Sequence, residues 1–383
     1  MGRGKTFMFV ALVLFAAGCT TGGTGEQAGN AGSAGGGRDG GAATARKKKG
    51  PNEQIFIGFL MDTLKEERWQ RDKELVERRA KEVGARLSVQ VANGIDSEQI
   101  KQAENLLSQK VDVLIVAPHN GEIAATIVEM AHREGVPVIS YDRLIKNADV
   151  DLYVSHQVVK IGELQAAYLL KRAPKGNYVI VQGSATDNNA RLLHEGQMNV
   201  LQPAVDRGDI KIVVDQAARE WLQSEALNIV ENALTQVNNN VVAVVASNDG
   251  TARGAIQALD GQKLAGKVFV SGQDADLASL QLIVEGKQTM TIYKPLQPLA
   301  YGAVDSALKL ARGETVQTND TVDNGKTKVP SMLYEPQAVD INNLVATVVK
   351  DGYQTLEKIC EKVPAGQCPK ADAAAAAITT APQ

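Results

Sequence analysis

The sequence predicts a two-lobed α/β protein in which each lobe is a doubly wound, mainly parallel sheet. Three observations carry this. From Ile55 onward, short runs rich in Val and Ile alternate with longer amphipathic stretches, the pattern left by β-α units whose sheet is buried on both faces. Ten such runs fall within the 383 residues, more than one doubly wound domain holds comfortably, so they divide into lobes of about five or six strands. Polar side chains then gather directly after the runs, where open α/β sheets place their ligands.

The expected strands are 55–59, 87–91, 111–117, 136–141, 151–155, 178–182, 212–215, 241–246, 268–271 and 289–293. The first helix, 69–83, carries apolar Leu75, Val76 and Ala80 and stops at Gly84, a residue that ends helices by accepting the left-handed conformation. Ser97, followed by Gln99 and Ile100, is expected to open the second helix as a side-chain cap. At the far end, 371–377 is alanine-rich and is expected to form a disordered or weakly helical tail.

Ahead of the first strand the composition changes. Arg3 and Lys5 precede an apolar run, Phe7 to Phe15, and small residues Ala16, Ala17 and Gly18, so 1–18 reads as an export signal too short to span a bilayer stably. Because the small residues end at Cys19, the segment resembles a bacterial lipoprotein signal, in which Cys19 would carry the lipid anchor. Ala16 stands where that family usually has leucine, and an ordinary secretory signal is the alternative. Residues 19–51 are rich in Gly, Ala, Ser and Thr and end in the basic cluster 46–49 and Pro51, which makes them a flexible tether. The other two cysteines, Cys360 and Cys368, read as a small surface disulfide in an exported protein, with two free thiols as the alternative.

Charge excludes one class of partner. With 41 basic against 44 acidic residues and a net charge of −3, the chain has no basic field to draw in nucleic acid. Several motifs fail on inspection. Gly325, Lys326 and Thr327 look like the end of a phosphate loop, but Asp320 stands where its first glycine belongs. No dinucleotide fingerprint follows the first strand, and Ser184 is not in a nucleophile elbow. His119, His132, His156 and His194 lack metal-ligand spacing, so surface or capping roles are expected of them and no metal or cofactor is.

The polar residues after the runs are of consistent types. The first strand leads to Glu67, Arg68 and Trp69, the fourth to Asp142 and Arg143, and the sixth to Asp187, Asn188 and Asn189. Later strands lead to Asn248 and Asp249, to Gln273 and Asp274, and to Lys294. Carboxylates and amide oxygens accept from a hydroxyl while Arg, Lys or an amide nitrogen donates to its neighbour, which suits a neutral polyhydroxylated ligand. Arg68, Arg143 and Lys294 are matched by Asp142, Asp187 and Asp274, whereas a phosphate would call for an excess of donors. The two tryptophans, Trp69 and Trp221, stand at helix starts beyond strand ends and would cover the C–H faces of a sugar ring. Singly, each has a plainer reading: Asp187, Asp249 and Asp274 as helix caps, Arg143 with Asp142 as a surface ion pair, either tryptophan as packing. Their coincidence at one sheet edge in both halves favours a site.

The stretches ERWQRD from Glu67, VQVANG from Val89, SYDRLI from Ser140, DNNARL from Asp187, VVASNDGTA from Val244, SGQDADLA from Ser271 and TMTIYKP from Thr289 name a family. From about Ile55 to Tyr353 the chain closely resembles bacterial periplasmic D-xylose-binding proteins, of the wider ribose- and galactose-type sugar-binding group. The resemblance implies a type I periplasmic-binding-protein fold with three hinge crossings, near 155–157, 294–297 and 329–336. One lobe would be 52–156 with 296–332, the other 157–295 with 333–356, followed by a tail, 357–383. Arg68, Trp69, Asp142 and Arg143 would line one side of a cleft, and Asp187, Asn189, Trp221, Asn248 and Asp274 the other. Lys294 would sit near a crossing, and Asn188 is a weaker candidate because adjacent side chains need not point the same way. Gly250 stands where relatives often carry Ala; Arg219 and Glu220, before Trp221, stand where they often have Asp and Gly. The implied function is the extracytoplasmic solute-binding part of an ABC sugar importer, closing on D-xylose or a similar monosaccharide. It would be a monomer without enzymatic activity, lipid-anchored in the periplasm or cell envelope, with a membrane permease as partner. A sugar-sensing protein for a membrane receptor and a sugar-processing enzyme are the alternatives.

Overall fold

Branched Val and Ile side chains pack well on a pleated surface covered from both sides, and runs of them become buried strands. The computed structural model describes residues 48–364 and 366–369; the leader with Cys19, the tether up to residue 47 and the alanine-rich segment lie outside the described residues. The chain begins with β1 (Phe56–Met61), α1 (Glu67–Glu82), β2 (Arg86–Val91), α2 (Asp96–Ser108), β3 (Val113–Val116), α3 (Ala125–Arg133), β4 (Val138–Tyr141) and β5 (Leu152–His156). It continues with α4 (Val158–Arg172), β6 (Gly176–Gln182), α5 (Asn188–Asp206), β7 (Ile210–Ala217), α6 (Gln223–Gln236), β8 (Ala243–Ala246), α7 (Asp249–Gly261), β9 (Phe269–Val270), α8 (Leu277–Val284) and β10 (Thr291–Tyr293). Last come α9 (Leu296–Arg312), β11 (Asp320–Asp323), β12 (Lys328–Tyr334), β13 (Gln337–Val339) and α10 (Leu356–Cys360).

The strands form a seven-stranded sheet of order β11-β12-β5-β4-β3-β1-β2 and a four-stranded sheet of order β7-β6-β8-β9. All pairs are parallel except the β11–β12 hairpin, and β10 pairs antiparallel with β13 as a separate ribbon. The second sheet is therefore smaller than expected, because 291–293 takes its partner from a returning segment. Its partner β13 and the hairpin strand β11 had no apolar signature to announce them: Asp320, Thr321, Asp323 and Gln337 are exposed. β12 stays in the first sheet through Tyr334, past the expected boundary at 332, since Leu333 and Tyr334 pair with Ser155 and His156.

One helix start also differs from expectation. α2 opens at Asp96, with Ile95 in the capping position and no side-chain cap, so Ser97 lies inside the first turn. The acidic Asp96 and Glu98 complement the positive end of the helix instead. Between α4 and α5 the backbones touch: a Cβ on Gly162 would collide with the Leu193 carbonyl and one on Gly196 with the Val159 carbonyl. One face of the first sheet, with Phe59, Ile115 and Tyr141, forms a single core with α1 and α9 that runs on to Leu280 and Ile283 of α8 and to Tyr353. Cys360 and Cys368 are joined as a disulfide, with Cα atoms 5.7 Å apart.

Candidate ligand-binding site

The carboxyl ends of β1 and β4 place the first group. Arg68 and Trp69, in the first turn of α1, are both buried, as is Asp142 at the end of β4. Arg68 is clamped from two sides: Nε and Nη2 lie 2.9 and 2.7 Å from Asp72 Oδ2, one helical turn on, and Nη1 lies 2.5 Å from Asp142 Oδ1. Tyr141 donates its hydroxyl to Asp72. Arg68 also stacks on the indole of Trp69, its Cζ 4.1 Å from the ring centroid. Burial alone would raise the Asp142 pKa, but Arg68 and Lys294 outweigh it and hold the carboxylate well below its ordinary range.

Asp142 joins the two sheets. Asn189 Nδ2, from the start of α5, donates to its Oδ2 at 3.2 Å and to its carbonyl at 3.1 Å. Lys294 Nζ, just past β10, stands 3.7 Å from Asp142 Oδ1 and 3.0 Å from Asp274 Oδ1. Arg143 is not the surface ion pair with Asp142 that its plainer reading offers: it is buried and turns away from Asp142. Its Nη1 donates to Asp62 Oδ2 at 2.6 Å and to the Pro118 carbonyl at 3.2 Å, while Nε reaches Asp187 Oδ2 at 2.8 Å. The left-handed backbone of Asp142, φ 59°, sends the two neighbours in different directions.

Some plainer readings hold alongside. Asp187 does cap α5, its Oδ1 accepting from Asn189 N at 2.9 Å, while Oδ2 serves Arg143. Asn248 caps α7, accepting from Thr251 N at 2.8 Å. Asp249 is structural: it accepts from Asp276 N, Gln288 Nε2 and Thr291 Oγ1 at 2.8 to 2.9 Å and ties α7 to β10. Asp274 caps nothing, since α8 starts from Asp276. Trp221 lies flat on Gly183, where any Cβ would collide with the ring, and its Nε1 is buried without a hydrogen-bond partner. It is reached through a strained turn, Glu220 and Trp221 both left-handed at φ 53° and 57°.

Eight of the expected residues thus form one connected network: Arg68, Trp69, Asp142, Arg143, Asp187, Asn189, Asp274 and Lys294. Trp221 and Asn248 adjoin one another outside it, a Cβ on Gly250 lying 3.5 Å from Asn248 Nδ2 and 3.8 Å from the Trp221 carbonyl. Asn188 lies outside the network and lines a cavity of about 360 Å³ with Asn120, Lys146, Thr186, Arg191 and the network's own Asp187. Asp62, Asp72 and Glu66 were missed. Glu66 Oε2 and Asp62 Oδ1 are buried without a hydrogen-bond partner, and burial pushes the Glu66 carboxyl up despite Arg143 nearby. The expected balance of charges is corrected accordingly: three cations meet five aspartates, an arrangement that disfavours an anionic ligand. The histidines also differ from expectation. His132 and His194 are half-buried partners of Asp151 and Asp215, but His119 and His156 are buried. Burial and Lys294 pull the His156 pKa down to about 3.

Comparison with known proteins bears on this arrangement. Residues 57–315 match the model of the periplasmic binding protein domain. The chain is 49% identical over 319 residues to the D-xylose-binding periplasmic protein of Haemophilus influenzae, covering 83% of this chain and 96% of that one. It is 48% identical over 301 residues to the protein of the same name from Escherichia coli, covering 79% and 91%. Among solved structures, a carbohydrate transporter solute-binding protein from Chloroflexus aurantiacus in complex with D-glucose superposes with a TM-score of 0.76 at 31% identity, over 80% of this chain and 98% of that one. The two sheets are those of the type I periplasmic binding fold, and the chain belongs to the periplasmic binding protein family.

Proposed function

We propose that this chain is the extracytoplasmic solute-binding component of an ABC sugar importer and that it binds D-xylose or a similar monosaccharide between two hinged lobes. The observation that carries the reading is the buried network on Asp142, where acceptors and donors alternate beside Trp69. Such a set satisfies hydroxyls that both donate and accept, and the apolar C–H faces of the sugar lie against indole. Relatives named for D-xylose binding share nearly half of their residues with it. Arg68, Trp69, Asp142 and Arg143 are assigned to one side of the ligand and Asp187, Asn189, Trp221, Asn248 and Asp274 to the other, with Lys294 at the crossing. Sugar bound to one lobe gains contacts from the second, which shifts the population to the closed form that a membrane permease engages. No bond is made or broken. Micromolar affinity requires only about 8 kcal/mol, within reach of this network after desolvation.

Calorimetric titration against xylose, arabinose, ribose, glucose and galactose tests the assignment. Xylose is expected to bind tightest; preference for glucose, or no binding of any aldose, would overturn it. We also propose lipid attachment at Cys19, followed by a tether that lets the binding lobes stand off the membrane in the periplasm or cell envelope. Loss of fatty-acid labelling in Cys19→Ser is the expected result, and unchanged labelling would refute the anchor.

A further inference from the structure

Glu220 holds a left-handed backbone angle that glycine would suit, φ 53°. A longer side chain held in a costly conformation needs a contact to hold it. Its carboxylate has one: Oε2 lies 3.1 Å and Oε1 3.4 Å from Nε2 of His119, which follows β3 of the first sheet. The other ring nitrogen, Nδ1, is 2.8 Å from Asp96 Oδ1 at the start of α2. Lys65 Nζ, between β1 and α1, donates to the Glu220 carbonyl at 3.2 Å. Oε2 also lies over Gly94, 3.5 Å from where a Cβ would stand. A residue of the β7–α6 connection, one position before Trp221, therefore reaches into a notch lined by Lys65, Gly94, Asp96 and His119, which follow strands β1, β2 and β3 of the first sheet.

We propose that Glu220 is a positioning residue for sugar binding, its ion pair with protonated His119 clasping the Trp221 loop to the opposite lobe in the closed state. The proposal rests on the sugar-binding reading and on hinge closure. A neutral imidazole carries one N–H and can donate to Asp96 or to Glu220; imidazolium donates to both. Three carboxylates face the ring: Asp96 from α2, Asp62 from the end of β1, and Glu220 from across the cleft. The cations around the notch are engaged elsewhere, Lys65 on the Glu220 carbonyl and Arg143 on Asp62 and the Pro118 carbonyl. Burial pulls the His119 pKa down, but Asp96, Asp62 and Glu220 outweigh it and the net direction is upward.

Opening removes Glu220 while Asp96 and Asp62 stay beside the ring, so the open form holds the proton less firmly than the closed form. Closure then takes up protons. Affinity is fully supported below the open-form pKa and declines as pH rises through the higher closed-form value.

Calorimetric titration of the full chain with D-xylose from pH 6 to pH 9, with melting curves as a fold control, tests the clasp. Wild-type affinity is expected to fall by about fivefold across that range, the scale of one partly exposed ion pair. Glu220→Gln and His119→Gln are expected to bind at pH 6 as the wild type does at pH 9, and to show no trend with pH. Glu220→Gly, which keeps the turn but lacks the carboxylate, is expected to match them and decides the matter if the glutamine variant fails to fold. Xylose binding that is flat with pH in the wild type, or that keeps its trend in Glu220→Gln, would sink the clasp and leave the sugar site standing. No xylose binding at any pH would remove both.

Discussion

The two sides of the candidate cleft are built by opposite means. On the first side, Arg68, Asp72 and Asp142 are buried and satisfy one another, so their geometry is set by the protein before any ligand arrives. On the second, Trp221 is half-buried, stands on two left-handed residues and keeps an unpartnered Nε1. A charge network buried this deeply cannot rearrange without leaving a bare charge, whereas a flat ring on a strained turn moves with its loop. The contrast implies that one side provides a rigid template and the other an adjustable cover.

The largest effect is expected from breaking the template. Arg68→Ala leaves Asp72 and Asp142 without their shared cation, so it should abolish xylose binding in calorimetry and cost about 3–5 kcal/mol in denaturant unfolding. Stability unchanged by this variant would show that the network is not a fixed template. Breaking the cover should separate the two readouts: Trp221→Ala is expected to weaken xylose binding at least about tenfold, or about 1.4 kcal/mol, with the melting temperature of the empty protein nearly unchanged. A comparable loss of stability there would erase the distinction between the sides. The smallest effect sharpens the comparison within the second side. Asn248→Ser should retain the α7 cap and lose sugar affinity, whereas Asn248→Ala should lose both, with about 1 kcal/mol of additional destabilisation. Equal affinity in all three proteins would leave Asn248 a cap alone.

Much of this was legible in the residues. Runs such as 113–116 and 243–246 are wholly buried strands because unbroken apolar residues, Val above all, suit a sheet covered on both faces. Arg68, Asp142, Asp187, Asn248 and Lys294 were visible because each follows a strand end. The hairpin at 320–334 was not, since its exposed Asp, Thr and Lys residues pair only once β5 offers an edge. Nor were the partners. Asp142 and Arg143 are adjacent in sequence but serve different carboxylates and cations, a divergence decided by one backbone angle. Asp72 could have been found, for it stands four residues after Arg68 on an amphipathic helix, where an acid and a base meet. Asp62 and Glu66 carried no such spacing.

The close crossing of α4 and α5 reaches further than packing. Gly196 lies on the same helix as Asn189, seven residues or roughly 10 Å along its axis, and that helix is a stiff rod. Any bulk introduced at the crossing would tip the rod and swing its front end, where Asn189 touches Asp142 and Asp187 holds Arg143. Attempts to re-tune which carbohydrate is accepted thus inherit a fulcrum remote from the pocket, at which two hydrogen atoms are the only side chains that fit.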